Sequence, residues 1–312
     1  MKRWWRKSLG NLQAASKTCR FVIRTVDSME TAPRISGPST PRFAATHTSV
    51  GNRPMPMRRA LPARLLGVWA HPDDEAYLSA GLMARVVDAG GSVTILAATA
   101  GEKGTAEPAL YDSDEFAAFR RAELVASVAE LGVTDVRFLG LRDGECDIAD
   151  DDAQIGAVLD VIDDVRPDAI VTFGPDGITG HPDHRTVSRW TTQAWNRTDR
   201  TAELLYAAMT KDFLARHAEL HDRLGVFEEY GRPPASFVTS DVELGCRLTP
   251  AELDRKRRAL ARHASQTVGL ADIIGEETYL RWWVDETFRR ATTRDGARRS
   301  RSADVRRLVG VR

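Results

Sequence analysis

Residues 64–99 read RLLGVWAHPDDEAYLSAGLMARVVDAGGSVTILAAT, and the order of runs and breaks in this stretch decides the architecture. LLGVWA (65–70) is a short, uninterrupted apolar run of the kind that makes a strand buried on both faces. Residues 75–90 then place Leu78, Leu82, Val86 and Ala89 at helical spacing and stop on Gly90-Gly91. SVTILAAT (92–99) is a second apolar run, so the unit reads strand, helix, strand.

The same alternation continues downstream. A helix is expected over 114–131, a strand over 136–141, and a helix over 151–165, where the acids Asp150, Asp151 and Asp152 at its start suit the positive end of its dipole. Pro167 breaks that helix, and AIVTFG (169–174) is a fourth apolar strand. Further on, the sequence predicts a helix over 184–196, a strand over 203–209, a variable stretch to about 235 and a final helix over roughly 250–266. Continuous apolar strands alternating with helices predict a mostly parallel sheet covered on both faces, an α/β doubly wound architecture in a single domain. The order of the strands does not follow from this pattern.

The chain has 312 residues, 44 Lys+Arg against 44 Asp+Glu, and this balance hides a segregation. Residues 1–60 carry 12 basic residues and two acids, and residues 289–312 carry nine and two. The stretch between them has 23 Lys/Arg against 40 Asp/Glu, which repels phosphate backbones, so no nucleic-acid partner is expected for the core. The domain reading is therefore a disordered basic extension over 1–60, a folded unit over 61–288 and a basic tail over 289–312. The opening residues, with Trp4, Trp5, Phe21 and Val22, could form a basic targeting helix; an upstream start ahead of Met55 and Met57 is the preferred reading. No apolar run of about 18 residues occurs, so no membrane span is expected. Cys19, Cys146 and Cys246 are too few and too scattered for a disulfide framework, and a cytoplasmic location is expected.

Two clusters carry the chemistry: Ala70-His71-Pro72-Asp73-Asp74-Glu75 directly after the first strand, and Gly180-His181-Pro182-Asp183-His184 a short loop beyond the fourth. Ligands collect outside the carboxyl ends of parallel strands, so both fall on one rim. Each motif has a bland reading, since Asp at a helix start is usually a cap. Together they are better read as a metal site. His71, Asp74 and His184 would form a two-His, one-carboxylate shell with a position left for water. Asp73, next to a ligand, is then available as a base, and His181 could face a substrate carbonyl.

At these residues the chain resembles the LmbE/PIG-L family of zinc-dependent N-deacetylases, across about residues 64–270. Thr99–Glu102 and Lys256–Gln266 (KRRALARHASQ) also look like family features. The resemblance implies a Rossmann-like fold and one Zn2+ per chain held by His71, Asp74 and His184, with Fe2+ a possible substitute. It implies Asp73 as general base, His181 as the group that stabilises the oxyanion or protonates the amine, and Asp183 as the residue tuning His181. One departure is Thr179, which stands where the branch acting on the mycothiol precursor has a Tyr.

Glu102 could bind a sugar hydroxyl or be a solvated turn acid, and His263 resembles a position at the site mouth. His217 and His221 have ligand-like spacing, but no carboxylate pattern accompanies them. A dinucleotide or phosphate loop is absent: the first strand turn holds His-Pro-Asp-Asp where glycines would be needed. The expectation is a metal-dependent hydrolase that deacetylates an N-acetylglucosamine-type sugar conjugate, a small-molecule partner. Alternatives are an amidase of a thiol conjugate or a catalytically silent sugar- or partner-binding module. The sequence is silent on the oligomeric state.

Overall fold

Apolar runs bounded by glycine and acid turns become the strands of a seven-stranded sheet in a computed structural model, which describes residues 60–104, 112–228, 234–292 and 295. Strands β1 (Arg64–Trp69), β2 (Ser92–Thr99), β3 (Asp135–Leu141), β4 (Ala169–Phe173) and β5 (Glu203–Ala207) run parallel to one another. A two-residue pair, β6 (Met209–Thr210) and β7 (Ser236–Phe237), stands apart from the sheet. Strands β8 (Leu244–Arg247) and β9 (Asp285–Arg290) complete it antiparallel, giving the order β3-β2-β1-β4-β5-β9-β8. This is the expected α/β architecture, with a Rossmann-like order whose direction reverses between β1 and β4. The loops after those two strands therefore border one crevice, and they are the loops that hold the two histidine motifs.

Four helices connect the parallel strands: α1 (Asp74–Asp88), α2 (Ser113–Ala129), α3 (Asp151–Val165) and α4 (Pro182–Arg197). Pro182 occupies the first turn of α4, where its missing N–H costs nothing. The central strands are buried on both faces, and Trp69 meets Phe173 edge-to-face at 5.0 Å, locking β1 to β4 just below the crevice.

The second half differs from expectation in three ways. The variable stretch holds two short helices, α5 (Lys211–Arg216) and α6 (Ala218–Leu224). The expected final helix breaks at His263 into α7 (Pro250–Arg262) and α8 (Ala264–Ile274), followed by α9 (Glu276–Trp282). β9 then runs through Arg290, two residues past the boundary placed at 288. A buried ion pair accounts for a charged strand at this place. Glu286 takes Lys256 Nζ at 2.8 Å and the Gly81 and Leu82 N–H groups at 2.8 and 2.9 Å, so β9, α7 and α1 are bolted together. The basic N-terminal extension with Met55 and Met57, and the C-terminal tail past Asp295, lie outside the described residues. Among the described residues no helix is long and apolar enough to cross a membrane.

Candidate metal centre

The turn after β1 is fixed by its own side chains. The His71 N–H donates to Asp74 Oδ2 at 2.9 Å, and the Asp73 N–H donates to Glu75 Oε2 at 2.9 Å. Asp73 itself sits at φ 114°, a region costly for any residue with a Cβ. Gly177 does the corresponding work after β4. Its φ of 74° turns the chain, its carbonyl accepts from His184 Nδ1 at 3.0 Å, and a Cβ there would lie 2.8 Å from Arg185 Cγ and 3.1 Å from His184 Cβ. The His184 ring also stacks on Phe173, 4.1 Å between centroids.

These supports bring His71, Asp74 and His184 together across 113 residues of sequence. His184 Nε2 lies 3.2 Å from His71 Nδ1 and 3.5 Å from Asp74 Oδ1, while His71 Nδ1 lies 3.6 Å from Asp74 Oδ2. Bonds of about 2.1 Å around a tetrahedral cation put ligand atoms about 3.4 Å apart, a spacing that the two nitrogens match and that Asp74 matches with a different oxygen toward each ring. Their chemistry also fits. Burial alone would discharge His71, but Asp143, Asp183 and Asp74 hold its pKa well above the ordinary value. Burial also works against the Asp74 carboxylate, yet His184 and His71 bring it down to about 2. The acids around His71 stabilise positive charge there, while burial and the neighbouring His71 hold the His184 pKa below its ordinary value. His71 and His184 also group with His181, and His71 with Asp143, His181 and Asp183, as sets able to hold a metal ion.

The remaining ring nitrogen of His71 faces away from that triangle. Its Nε2 meets Asp183 Oδ2 at 3.2 Å and Asp143 Oδ1 at 3.3 Å. The Asp183 carboxylate thus contacts His71 directly and acts on His181 through its charge, while also accepting from the Gly144 and Cys146 N–H groups. His181 Nδ1 accepts the Asp183 N–H at 3.1 Å, so a neutral His181 carries its proton on Nε2. Burial, with His184 and His71 adding to it, pushes its pKa down to about 3, which keeps it neutral.

Asp73 is 7% exposed and its Oδ2 accepts from Arg120 at 3.1 Å. Burial raises its pKa to about 7 against the pull of Arg120. Arg120 is itself buried and also donates to Gly101 O at 2.6 Å and to Pro72 O. Gly101 has φ 66° and lies so close to this guanidinium that a Cβ would overlap it.

Two expected substrate contacts read differently. Glu102 is 9% exposed, and its Oε1 accepts the Asp143 N–H at 2.9 Å while Asp143 Oδ2 accepts the Lys103 N–H, so the pair staples the loop after β2 to the loop after β3. His263 does not face the mouth: it is fully buried, 2.7 Å from Glu75, because the break between α7 and α8 turns it inward. His217 and His221 lie outside the centre, with His221 Nε2 accepting from Trp282 at 2.9 Å. Sequence reasoning missed Asp143, Arg120 and Glu75 as parts of the centre. Asp143 had a signal, an Asp-Gly step directly after the third strand on the same rim. Arg120 sits in a polar helix with nothing to separate it from solvated neighbours.

Fold and site together define a class: a Rossmann-like α/β protein with a His/Asp cation centre at the carboxyl ends of β1 and β4. Residues 66–195 match the family model described as PIG-L: GlcNAc-PI de-N-acetylase. A 1D-myo-inositol 2-acetamido-2-deoxy-alpha-D-glucopyranoside deacetylase from Saccharomonospora viridis is 31% identical over 235 residues, covering 66% of this chain and 86% of the relative. A deacetylase of the same name from Mycobacterium sp. (strain KMS) is 38% identical over 163 residues, 46% of this chain, and that match spans 53% of the relative's length. The N,N'-diacetylchitobiose deacetylase of Pyrococcus horikoshii superposes with TM-score 0.52 at 21% identity, covering 74% of this chain and 84% of that one, which shows the shared fold. The chain belongs to the PIG-L family of deacetylases.

Proposed function

We propose that the chain is a metal-dependent N-deacetylase acting on an N-acetylglucosamine-type sugar conjugate in the cytoplasm. The observation that carries this reading is the approach of His71 Nδ1 to His184 Nε2 at 3.2 Å with Asp74 beside both, its Oδ1 3.5 Å from His184 Nε2 and its Oδ2 3.6 Å from His71 Nδ1. The sugar class rests on the relatives, which are named as inositol-linked 2-acetamido-glucoside deacetylases. His71, Asp74 and His184 would hold one Zn2+ per chain, with Fe2+ able to take the same donors. A divalent ion held there would polarise the amide carbonyl and acidify a water molecule.

The chain's own residues supply the rest. Asp73, with a pKa near 7, can take the proton that the water gives up and return it to the leaving nitrogen, turning amide and water into acetate and amine. Arg120 holds that carboxylate in place through Oδ2. His181, neutral and protonated on Nε2, donates a hydrogen bond to the carbonyl oxygen as negative charge develops. This offers an oxyanion donor in a chain that has Thr179 at the position of the other branch's Tyr. Asp183 and the Gly177 carbonyl orient the two ligand histidines.

A screen of N-acetylated amino sugars and their conjugates, with metal content measured on the same sample, tests the reading. Acetate and primary amine released in equal amounts are expected. Release of phosphate from phosphorylated analogues without amine would contradict it, as would binding of the sugars with no hydrolysis.

A further inference from the structure

Asp73 keeps a backbone conformation that a residue with a Cβ avoids, so something must hold it there. Its N–H donates to Glu75 Oε2, and Glu75 is buried out of solvent contact. The other oxygen, Oε1, meets Ser127 Oγ at 3.3 Å and His263 Nε2 at 2.7 Å. His263 is therefore the short, strong partner that sets the Glu75 carboxylate.

His263 is in turn rigid. Its N–H donates to Leu260 O, and its carbonyl accepts the Gln266 and Thr267 N–H groups, so the residue closes α7 and opens α8. The residues after it grip the same region: Ser265 donates twice to Glu123 of α2, and Gln266 reaches Gly104 O in the turn after β2. His263 Nδ1 is buried without a partner, so the ring acts on the turn through Nε2 alone, aimed at Glu75.

We propose that His263 is a positioning residue for the acid turn: its Nε2–H fixes Glu75, and Glu75 holds Asp73 in its strained positive-φ conformation next to Asp74. For turnover this rests on the deacetylase reading; for the conformation of the turn it does not. The His263→Leu substitution removes the donor, and Glu75 then lacks the contact that chooses its rotamer. Asp74 is anchored separately by the His71 N–H, so the metal ligands stay in place.

The experiment uses the full chain loaded with Zn2+, as wild type, His263→Leu and His263→Gln. Amide hydrogen exchange is followed in the 70–77 peptide, together with zinc stoichiometry and the kcat and KM of acetate release. For His263→Leu, exchange at 70–77 rises while 92–99 is unchanged, and kcat falls about 10–100-fold with KM nearly constant, as expected when a reacting group is misplaced by roughly 1 Å. Zinc stays at one per chain. His263→Gln places an N–H donor at the reach of Nε2 and restores both readouts. Wild-type exchange at 70–77 in His263→Leu overturns the proposal whatever the activity, and so does a Gln variant that behaves like Leu. Should Leu prevent folding, His263→Asn, whose amide is too short to reach Glu75, takes its place under the same criteria. A wild type that releases no acetate removes the deacetylase reading and leaves the exchange result to decide the role of His263.

Discussion

Asp183 separates two accounts of the site, because its carboxylate could serve either histidine of the second motif or the histidine of the first. Its two oxygens collect three donors: Gly144 N at 2.6 Å and His71 Nε2 at 3.2 Å on Oδ2, and Cys146 N at 3.2 Å on Oδ1. In Asp183→Asn only one oxygen remains, so at least one donor must face an amide NH2. With oxygen kept toward His71, the Cys146 N–H is orphaned in a fully buried place, costing about 1–3 kcal/mol of stability. That lowers Tm by a few degrees and leaves the protein folded. The larger effect is on the metal. The neutral amide no longer strengthens and orients the His71 ring, and losing such an outer partner weakens metal affinity about 10–100-fold. Competition with a chelator of known affinity, on wild type and variant at one pH, measures this. If Asp183→Asn binds Zn2+ as tightly as wild type and only turnover falls, Asp183 acts on His181 and the assignment made from its contacts is wrong.

Asp73→Asn should keep its zinc, since Asp73 donates no ligand atom, yet lose about 10²–10⁴-fold in kcat as the proton acceptor disappears; near wild-type turnover would remove Asp73 from the mechanism. His221 gives a pH dependence far from the centre. Burial, then His217, lowers its pKa from 6.5 to about 4, and its Nε2 must stay unprotonated to accept from Trp282. The neutral form is favoured in the folded state, so its contribution is intact above pH 6.5 and is lost as pH falls toward about 4, up to roughly 3 kcal/mol. Urea unfolding between pH 4.5 and 7.5 should show wild type losing more stability on acidification than His221→Gln, which can accept the same bond without titrating; equal losses would count against this.

Much of the parallel half was legible because most strands there are apolar runs and several helices show their own caps. Asp112 and Asp150, for example, cap α2 and α3 with their side chains. The strand order was not legible, since it depends on which faces meet. β9 escaped notice because Asp285, Glu286, Arg289 and Arg290 make it a charged stretch; only Lys256, 30 residues away, and two helix N–H groups make the Glu286 charge tolerable inside. In the site, His71, Asp74 and His184 stood out through residue type and position at two strand ends. The second layer did not: Glu75 and Arg120 look like ordinary helix-surface charges until the fold buries them. His263 was noticed and misplaced, because a histidine in a polar helix gives no sign that the helix breaks at that residue.

The central claim is that one cation, shared by His71, Asp74 and His184, makes this chain a hydrolase. Titrating chelator-stripped protein with Zn2+ while following acetate release from an N-acetylglucosamine conjugate tests it most directly. Activity should rise linearly and level off at one equivalent per chain, with His184→Ala neither binding the ion nor turning over. Full activity in the stripped protein, or in His184→Ala, would contradict it.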